Sequence, residues 1–421
     1  MPRKFFRKIL VVSTFILAIS ALSPFNYAKA APATAAFVLH SYNKDYPISA
    51  SDLQNWQTAS GQGETYVSFS PEQDLNSYVL SELGLQDKAS SHLHFEQYNI
   101  SSIYKTLKAI EAEINIDPAD AKMTIQNVDG LDRVTDFNPG INGEDLDVKS
   151  SINNIVTALS ENKTTANLNI TETLPSKTLA TTNNLGINEL VAYGESNYSG
   201  SPKNRIFNIK VGVQKEAGIL IKPGEEFSFN KYLGPVDGDH GFLPELVIKG
   251  AEGTVPEFGG GLCQVSSTVF RAAMNAGLPI TARRNHSYAV SYYAPQGTDA
   301  TIYPGVQDMK FVNDSPATLL VWPELSDKNI LRFYLYGTKD TRQVSFDGPH
   351  TFDKQASGAM KAVWTRFITS ADGTVKKDVF NSNYQSPALF HKTTTAENPV
   401  PTTPPLNTTP ITSPPLTPIT Q

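Results

Sequence analysis

Three consecutive glycines, Gly259 to Gly261, run straight into Leu262-Cys263 and then into an apolar repeat. Val265, Val269, Ala272, Ala273 and Ala276 recur at steps of three and four, the period of a helix buried along one face. Gly277 supplies a left-handed end to that helix and Pro279 forbids its continuation. A chain with this stretch must build a domain around one short core helix, with Cys263 at its N-terminal end. Cys263 is also the one cysteine among 421 residues, so it has no intramolecular disulfide partner, and zinc sites made of several thiolates are excluded.

The partial positive charge of a helix N-terminus favours thiolate over thiol. Glycines allow close approach of backbone or substrate, and unpaired N–H groups at the helix end suit an oxyanion. A thiolate nucleophile needs a base and a group to orient that base. His286 opens a predicted strand, His286 to Tyr293, and Asp299 opens a second, Ala300 to Tyr303, after the Pro295-Gln296-Gly297 turn. Two antiparallel strands would set the pair side by side near the helix end. Cys263, His286 and Asp299 are therefore the candidate catalytic residues, with Asp308 a competing partner for the histidine. Gly259, Gly260, Gly261, Gln264, Arg205 and Arg283 are candidate substrate contacts, the arginines (with Arg284) because guanidinium pairs bidentately with carboxylate. His240 and the acids of Asp237-Gly238-Asp239 read as a turn. No metal and no cofactor are expected.

The two ends of the chain have their own signatures. Arg3, Lys4, Arg7 and Lys8 precede an apolar run from Ile9 to Leu22, and Ala28-Lys29-Ala30 follows, the layout of a cleaved export signal over 1–30. The run is shorter than the roughly 20 residues of a spanning helix, and membrane contact is expected only through this segment if it is retained. From Thr393 to Gln421, Pro and Thr supply 18 of 29 residues, which predicts an extended tail without a core. Charged residues make up 18% of the chain and its formal net charge is −6, so nothing marks a nucleic-acid partner. An exported chain with no possible disulfide points to a bacterial, extracytoplasmic protein, secreted or held at the cell wall.

Between the ends the expected architecture is α+β. Residues 31–96 are poorly periodic. In 97–182, Ile103, Leu107, Ile110 and Ile114 predict one amphipathic helix. Met123 and Ile125 predict a strand, and Val148, Ile152, Ile155, Val156 and Leu159 predict a second helix capped by Asp147 or Asp145. Leu168 and Ile170 predict a closing strand. Residues 183–337 hold the central domain, and 338–392 are expected to form a β-hairpin extension through Ala362 to Ile368, the Ser370-Ala371-Asp372-Gly373 turn and Val375 to Val379.

Several motifs resemble known families. Asn204-Arg205-Ile206-Phe207-Asn208, Pro223-Gly224-Glu225-Glu226-Phe227-Ser228-Phe229-Asn230, Phe258 to Thr268, Arg283-Arg284-Asn285-His286-Ser287 and Asp308-Met309-Lys310-Phe311, in this order, resemble the VanW family, named for vancomycin-resistance gene clusters. That likeness implies a bacterial-envelope setting rather than a particular reaction. Pro118-Ala119-Asp120-Ala121 with Pro139-Gly140-Ile141-Asn142-Gly143 and the helix to Leu159 resemble the peptidoglycan-binding domain found upstream of VanW domains. The Cys263 helix ending in Ala276-Gly277-Leu278-Pro279, followed by His286 and Asp299, is similar to the transglutaminase-like core, but Tyr288 stands where a Trp often follows the histidine. Two functions follow as expectations. One is cysteine-dependent acyl transfer, as peptidase or transpeptidase, on peptidoglycan peptides or wall proteins. The other is a non-catalytic peptidoglycan-binding or wall-assembly protein, in which the sulfur has no histidine near it.

Overall fold

Residues 35–57, 98–248 and 254–390 are described by the computed structural model. The expected export signal, the Pro/Thr tail and much of the 31–96 region lie outside them. In chain order the first elements are β1 (Phe37–His40), β2 (Asp45–Ile48), α1 (Ala50–Trp56), α2 (Ile100–Ile114), β3 (Lys122–Val128), β4 (Leu131–Asn138), β5 (Gly143–Leu146), α3 (Val148–Ser160), β6 (Thr165–Asn167) and β7 (Ile170–Thr173). Then come β8 (Glu189–Asn197), α4 (Lys203–Lys215), β9 (Ile219–Ile221), β10 (Glu226–Ser228), α5 (Phe229–Leu233), β11 (Pro244–Ile248), β12 (Thr254–Phe258) and α6 (Leu262–Asn275). The last are β13 (Ile280–Ala282), β14 (Lys310–Val312), β15 (Leu319–Leu325), β16 (Ile330–Gly337), β17 (Gln343–Phe352), β18 (Met360–Thr369) and β19 (Val375–Tyr384). The fold is α+β.

The chain divides into two units, one running to Asp120 and resuming over Gly140–Ser176, the other made of Ala121–Pro139 and the residues from Lys177 on. In the first, β1 pairs antiparallel with β2 and parallel with β6, and β5 pairs with β7. Helices α2 and α3 bury the apolar faces that their spacing predicts, around Phe37, Leu39, Trp56, Ile103, Leu107, Ile152 and Ile155. Asn99 caps α2 and Asp147 caps α3, whose Ser150 amide donates to the Asp147 carboxylate at 2.9 Å. Leu168 falls between β6 and β7 rather than inside a strand, with its amide donating to the His40 carbonyl at 2.8 Å.

The expected 97–182 module is not one body. Its β3–β4 hairpin, closed by the left-handed pair Asp129-Gly130, belongs to the second unit. There it extends an antiparallel sheet of order β3-β4-β9-β15-β16-β8. The reason is apolar: Val134 and Phe137 of β4 are buried, and the Phe137 ring meets Trp322 at 5.2 Å and Tyr336 at 4.8 Å.

Helix α6 lies across β8 and β16. Contact is so close at Gly194 of β8 that a Cβ there would stand 2.2 Å from the Thr268 carbonyl oxygen. The expectation of one buried face is too modest. Ser266 is also buried, Gln264 and Thr268 are buried on Ser196 and Asn197 of β8, and Ser267 is buried under the loop from 283 to 302, bonded to Ala300. Within the expected 338–392 extension, residues 343–384 form a three-stranded meander, β17-β18-β19, one strand more than the hairpin expected.

One buried carboxyl stands apart from this packing. Glu216 caps the end of α4, is fully buried, and neither of its oxygens has a hydrogen-bond partner among the described residues. Burial pushes its pKa well above the ordinary value; Arg133 pulls it back and Asp308 adds to the rise. The unfolded chain therefore loses this proton first, and stability falls as pH rises past about 4.5 until the folded carboxyl itself ionises. Glu216→Gln is expected to flatten that dependence and to add about 1 kcal/mol or more at pH 8. Thermal melts of both proteins at pH 5 and pH 8 check this; parallel slopes would refute it.

Candidate active site

Cys263 is the second residue of α6, and its N-cap Gly261 has φ 114°, a left-handed conformation that only glycine adopts without strain. Carbonyls of Gly259 and Gly261 accept the Leu262 and Gln264 amides at 3.1 and 2.9 Å. The Cys263 amide between them meets no backbone acceptor among the described residues. The sulfur is partly exposed, 3.5 Å from Thr301 Oγ1, and its thiol donates to the Ile302 carbonyl at 3.6 Å.

His286 and Asp299 meet as expected, but on loops rather than paired strands. Only isolated bridges at Tyr288 and Tyr303 and a short turn of helix, Ser291–Tyr293, interrupt these loops. The physical reason is that arginine side chains take the carbonyls a neighbouring strand would otherwise use. Arg271 donates to Tyr293, Ala294 and Thr298, and Arg283 donates to Gly297 and Asp299. Pro295 in the middle has no N–H to offer a ladder.

The carboxylate is held from several sides. Asp299 Oδ2 accepts from the His286 backbone amide at 2.7 Å and pairs with His286 Nδ1 at 2.6 Å. Its Oδ1 accepts from the Tyr384 hydroxyl at 2.5 Å and from Arg283 Nη2 at 3.2 Å. Burial pushes Asp299 up, but the His286 hydrogen bond and charge, then Arg283 and Tyr384, hold it well below the usual carboxylate range. An ionised carboxylate only accepts, so Nδ1 carries its proton and Nε2 is the ring nitrogen left for a reaction. Tyr293 lies flat on the imidazole, ring centres 4.0 Å apart and planes 11° apart.

Nε2 is buried and meets no acceptor in this resting geometry. The thiol and imidazole nevertheless act on each other's ionisation. Burial raises the Cys263 thiol, but the neighbouring His286 outweighs it, with help from Thr301 and the Ile302 backbone, and brings it to about 7. Burial lowers the imidazole, yet its bond to Asp299 and the negative charges of Cys263 and Asp299 lift it to about 9. Between those values the favoured state is thiolate beside imidazolium.

The residues expected to contact substrate have protein partners of their own. Gln264 is fully buried: its Oε1 accepts from Arg205 Nη2 at 2.9 Å and its Nε2 donates to the Asn197 carbonyl at 2.9 Å. Arg205 is buried too, its guanidinium 4.2 Å from the Tyr292 ring centre, with Nη1 unpartnered among the described residues. Arg283 is committed to Asp299 and the surrounding carbonyls. The glycines serve packing: a Cβ at Gly260 would stand 2.8 Å from Glu245 Cβ, and one at Gly261 would stand 3.0 Å from Ile209 Cγ1. Asp308 does not compete for the histidine, since it accepts from Ser228 Oγ and the Asn230 and Met309 amides. His240 pairs with Asp237 in an exposed turn.

Tyr293, Thr301 and Tyr384 went unforeseen. The doubled tyrosine at 292–293 was a visible signal, absorbed into a strand pattern; Tyr384 has no local signature at all.

The VanW like protein family matches residues 204–336. The chain is 34% identical over 134 residues to the vancomycin B-type resistance protein VanW of Enterococcus faecalis, covering 31% of this chain and 48% of that one. It is 34% identical over 157 residues to the uncharacterized protein YoaR of Bacillus subtilis, covering 37% and 49%. The chain thus spans about half the length of the curated relatives it matches. No solved structure gives a significant match. Cys263, His286 and Asp299 all fall inside the matched stretch, and residues 204–336 are therefore a VanW-like domain.

Proposed function

We propose that the chain is a cysteine-dependent acyl-transfer enzyme of the bacterial cell envelope, acting on an amide of a peptidoglycan peptide or a wall protein. The observation that carries this reading is the Asp299–His286 pair at 2.6 Å, with His286 lowering the Cys263 thiol to about 7. In this reading the thiolate attacks the amide carbonyl carbon and a C–S bond forms. The Cys263 amide at the start of α6 offers a donor to the developing oxyanion. The C–N bond then breaks and His286 Nε2 gives its proton to the leaving amine. Water or a second amine then attacks the thioester carbonyl and gives a proton to His286, the C–S bond breaks to release the acid or the new amide, and the thiolate–imidazolium pair is restored; water makes a hydrolase and an amine a transpeptidase. Resting catalytic hydrogen bonds are often long and tighten with substrate, so the open Nε2 fits this scheme.

Export through the 1–30 segment and placement at the wall belong to the same proposal, supported by the signal layout and by the name of the Enterococcus relative. Among the described residues no helix is long and apolar enough to cross a membrane. The segments 97–120 and 140–176 are proposed to bind the wall polymer.

The test is mass spectrometry of the protein mixed with a panel of wall-derived peptides, with and without an added amine. Wild type is expected to show an acyl adduct on Cys263 and a cleaved or transferred product. Cys263→Ala should lose both, by at least about a thousandfold in rate. Turnover that survives in Cys263→Ala, or no adduct across the panel, overturns the proposal.

A further inference from the structure

The C-terminal meander lies beyond residue 336, where the family match ends. Yet its strands reach both halves of the candidate site. On one side, Arg366 of β18 is fully buried and faces the far end of the cysteine helix. Its Nη1 donates to the Met274 carbonyl at 3.2 Å and its Nη2 to the Leu278 carbonyl at 3.0 Å, with Asp378 of β19 as counter-ion at 2.7 Å. On the other side, β19 and the residue after it run beside the segment that carries His286. Arg283 donates to the Asn381 carbonyl at 3.3 Å and to Ser382 Oγ at 3.0 Å. Asn285 Nδ2 donates to the Asn383 carbonyl at 3.0 Å, and the Gln385 amide donates to the Ser287 carbonyl at 2.8 Å. The partners advance together, 283 with 381, 285 with 383 and 287 with 385, so the two segments run parallel in step.

Tyr384, 1% exposed, completes the arrangement. Its hydroxyl donates to Asp299 Oδ1 and accepts the Gly297 amide at 2.8 Å. A phenol oxygen placed so fixes both the plane of the carboxylate and the turn that precedes it. We propose that β19 is part of the active site: with Tyr384 as the positioning residue, it holds Asp299 and the His286 segment in register with the cysteine helix that β18 grips through Arg366. Neither strand touches a substrate in this scheme. They set the angle and distance at which imidazole meets sulfur, a tolerance of a fraction of an ångström in preorganised sites.

This inference rests on the acyl-transfer reading, and one titration separates the two. The pH dependence of Cys263 alkylation by iodoacetamide is measured in the full-length wild type, His286→Ala, Tyr384→Phe and Tyr384→Phe/Gln385→Pro. Proline at 385 removes the N–H that holds Ser287, and phenylalanine removes the hydroxyl that holds Asp299. Positioning by β19 raises the midpoint of the double variant by about one unit, up to tenfold less thiolate below the midpoint, and that of Tyr384→Phe by about half as much. Melting temperatures are read alongside. A lowered melting temperature with the wild-type midpoint, or a lower midpoint, overturns the inference. If the double variant does not fold, Tyr384→Phe alone decides, and a wild-type midpoint there overturns it equally. Should His286→Ala titrate like the wild type, it is the acyl-transfer reading that fails.

Discussion

In His286→Ala the Cys263 thiol is expected to titrate at or above 9, and its alkylation at pH 7 to slow by about fiftyfold or more. The wild-type thiol stands at about 7 although it packs against the apolar core, and the neighbouring imidazole opposes that loss of hydration most strongly. Without it, Thr301 and the Ile302 backbone remain, and they are too weak to cancel the loss. About half the sulfur is thiolate at pH 7 in the wild type; about one part in a hundred is left when the midpoint reaches 9. Reactivity in the wild type should rise through pH 7 and level off before the imidazolium, at about 9, begins to lose its proton. Iodoacetamide rates between pH 5 and pH 10 decide the matter, and coincident curves for the two proteins would mean that no ion pair exists.

The second large effect is steric. Gly194→Ala is expected to destabilise the fold by about 3 kcal/mol or more, at or above the upper end for overpacking. The added methyl would lie 2.2 Å from the Thr268 carbonyl oxygen and 2.4 Å from the Ala272 nitrogen, so it strikes the backbone of α6 rather than a side chain that can rotate away. Relief requires the whole helix to lift from β8, and Cys263 moves with it. Alkylation should therefore change together with the urea midpoint. Gly200 offers the comparison: its φ is 75° but nothing lies within 4 Å of a Cβ there, so Gly200→Ala should cost only about 1 kcal/mol of backbone strain. Equal urea midpoints for the two variants would contradict the close contact.

Much of the site was legible because its features are local. Glycines, cysteine and the three-four repeat announce α6, and Gly277 and Pro279 mark its end. The order of cysteine, histidine and aspartate was enough to pair His286 with Asp299. What stayed hidden depends on partners distant in sequence. Val134 and Phe137 read as a strand face, but an apolar face does not say which core it enters, so β3–β4 was placed with its sequence neighbours. Arg271 and Arg283 hold loop carbonyls through their side chains, and such bonds leave no period to detect. Arg205 and Arg283, which looked like ligand contacts, turn their side chains inward in the same way. Tyr384 sits at the end of a strand whose alternation reports only its pairing with β18, so its hydroxyl on Asp299 was invisible.

The split course of the chain bears on how it is made. During synthesis from the N-terminus, Leu131–Asn138 is complete long before the ribosome supplies Ile219–Ile221, the strand that covers its free side, or Trp322 and Tyr336, which cover Phe137. Until then the nascent chain presents an open strand edge with Val134 and Phe137 uncovered, the kind of surface that seeds aggregation. Any product that stops short of Gly337 keeps that edge without its full cover. The hairpin is therefore the segment that a holding chaperone would have most reason to shield.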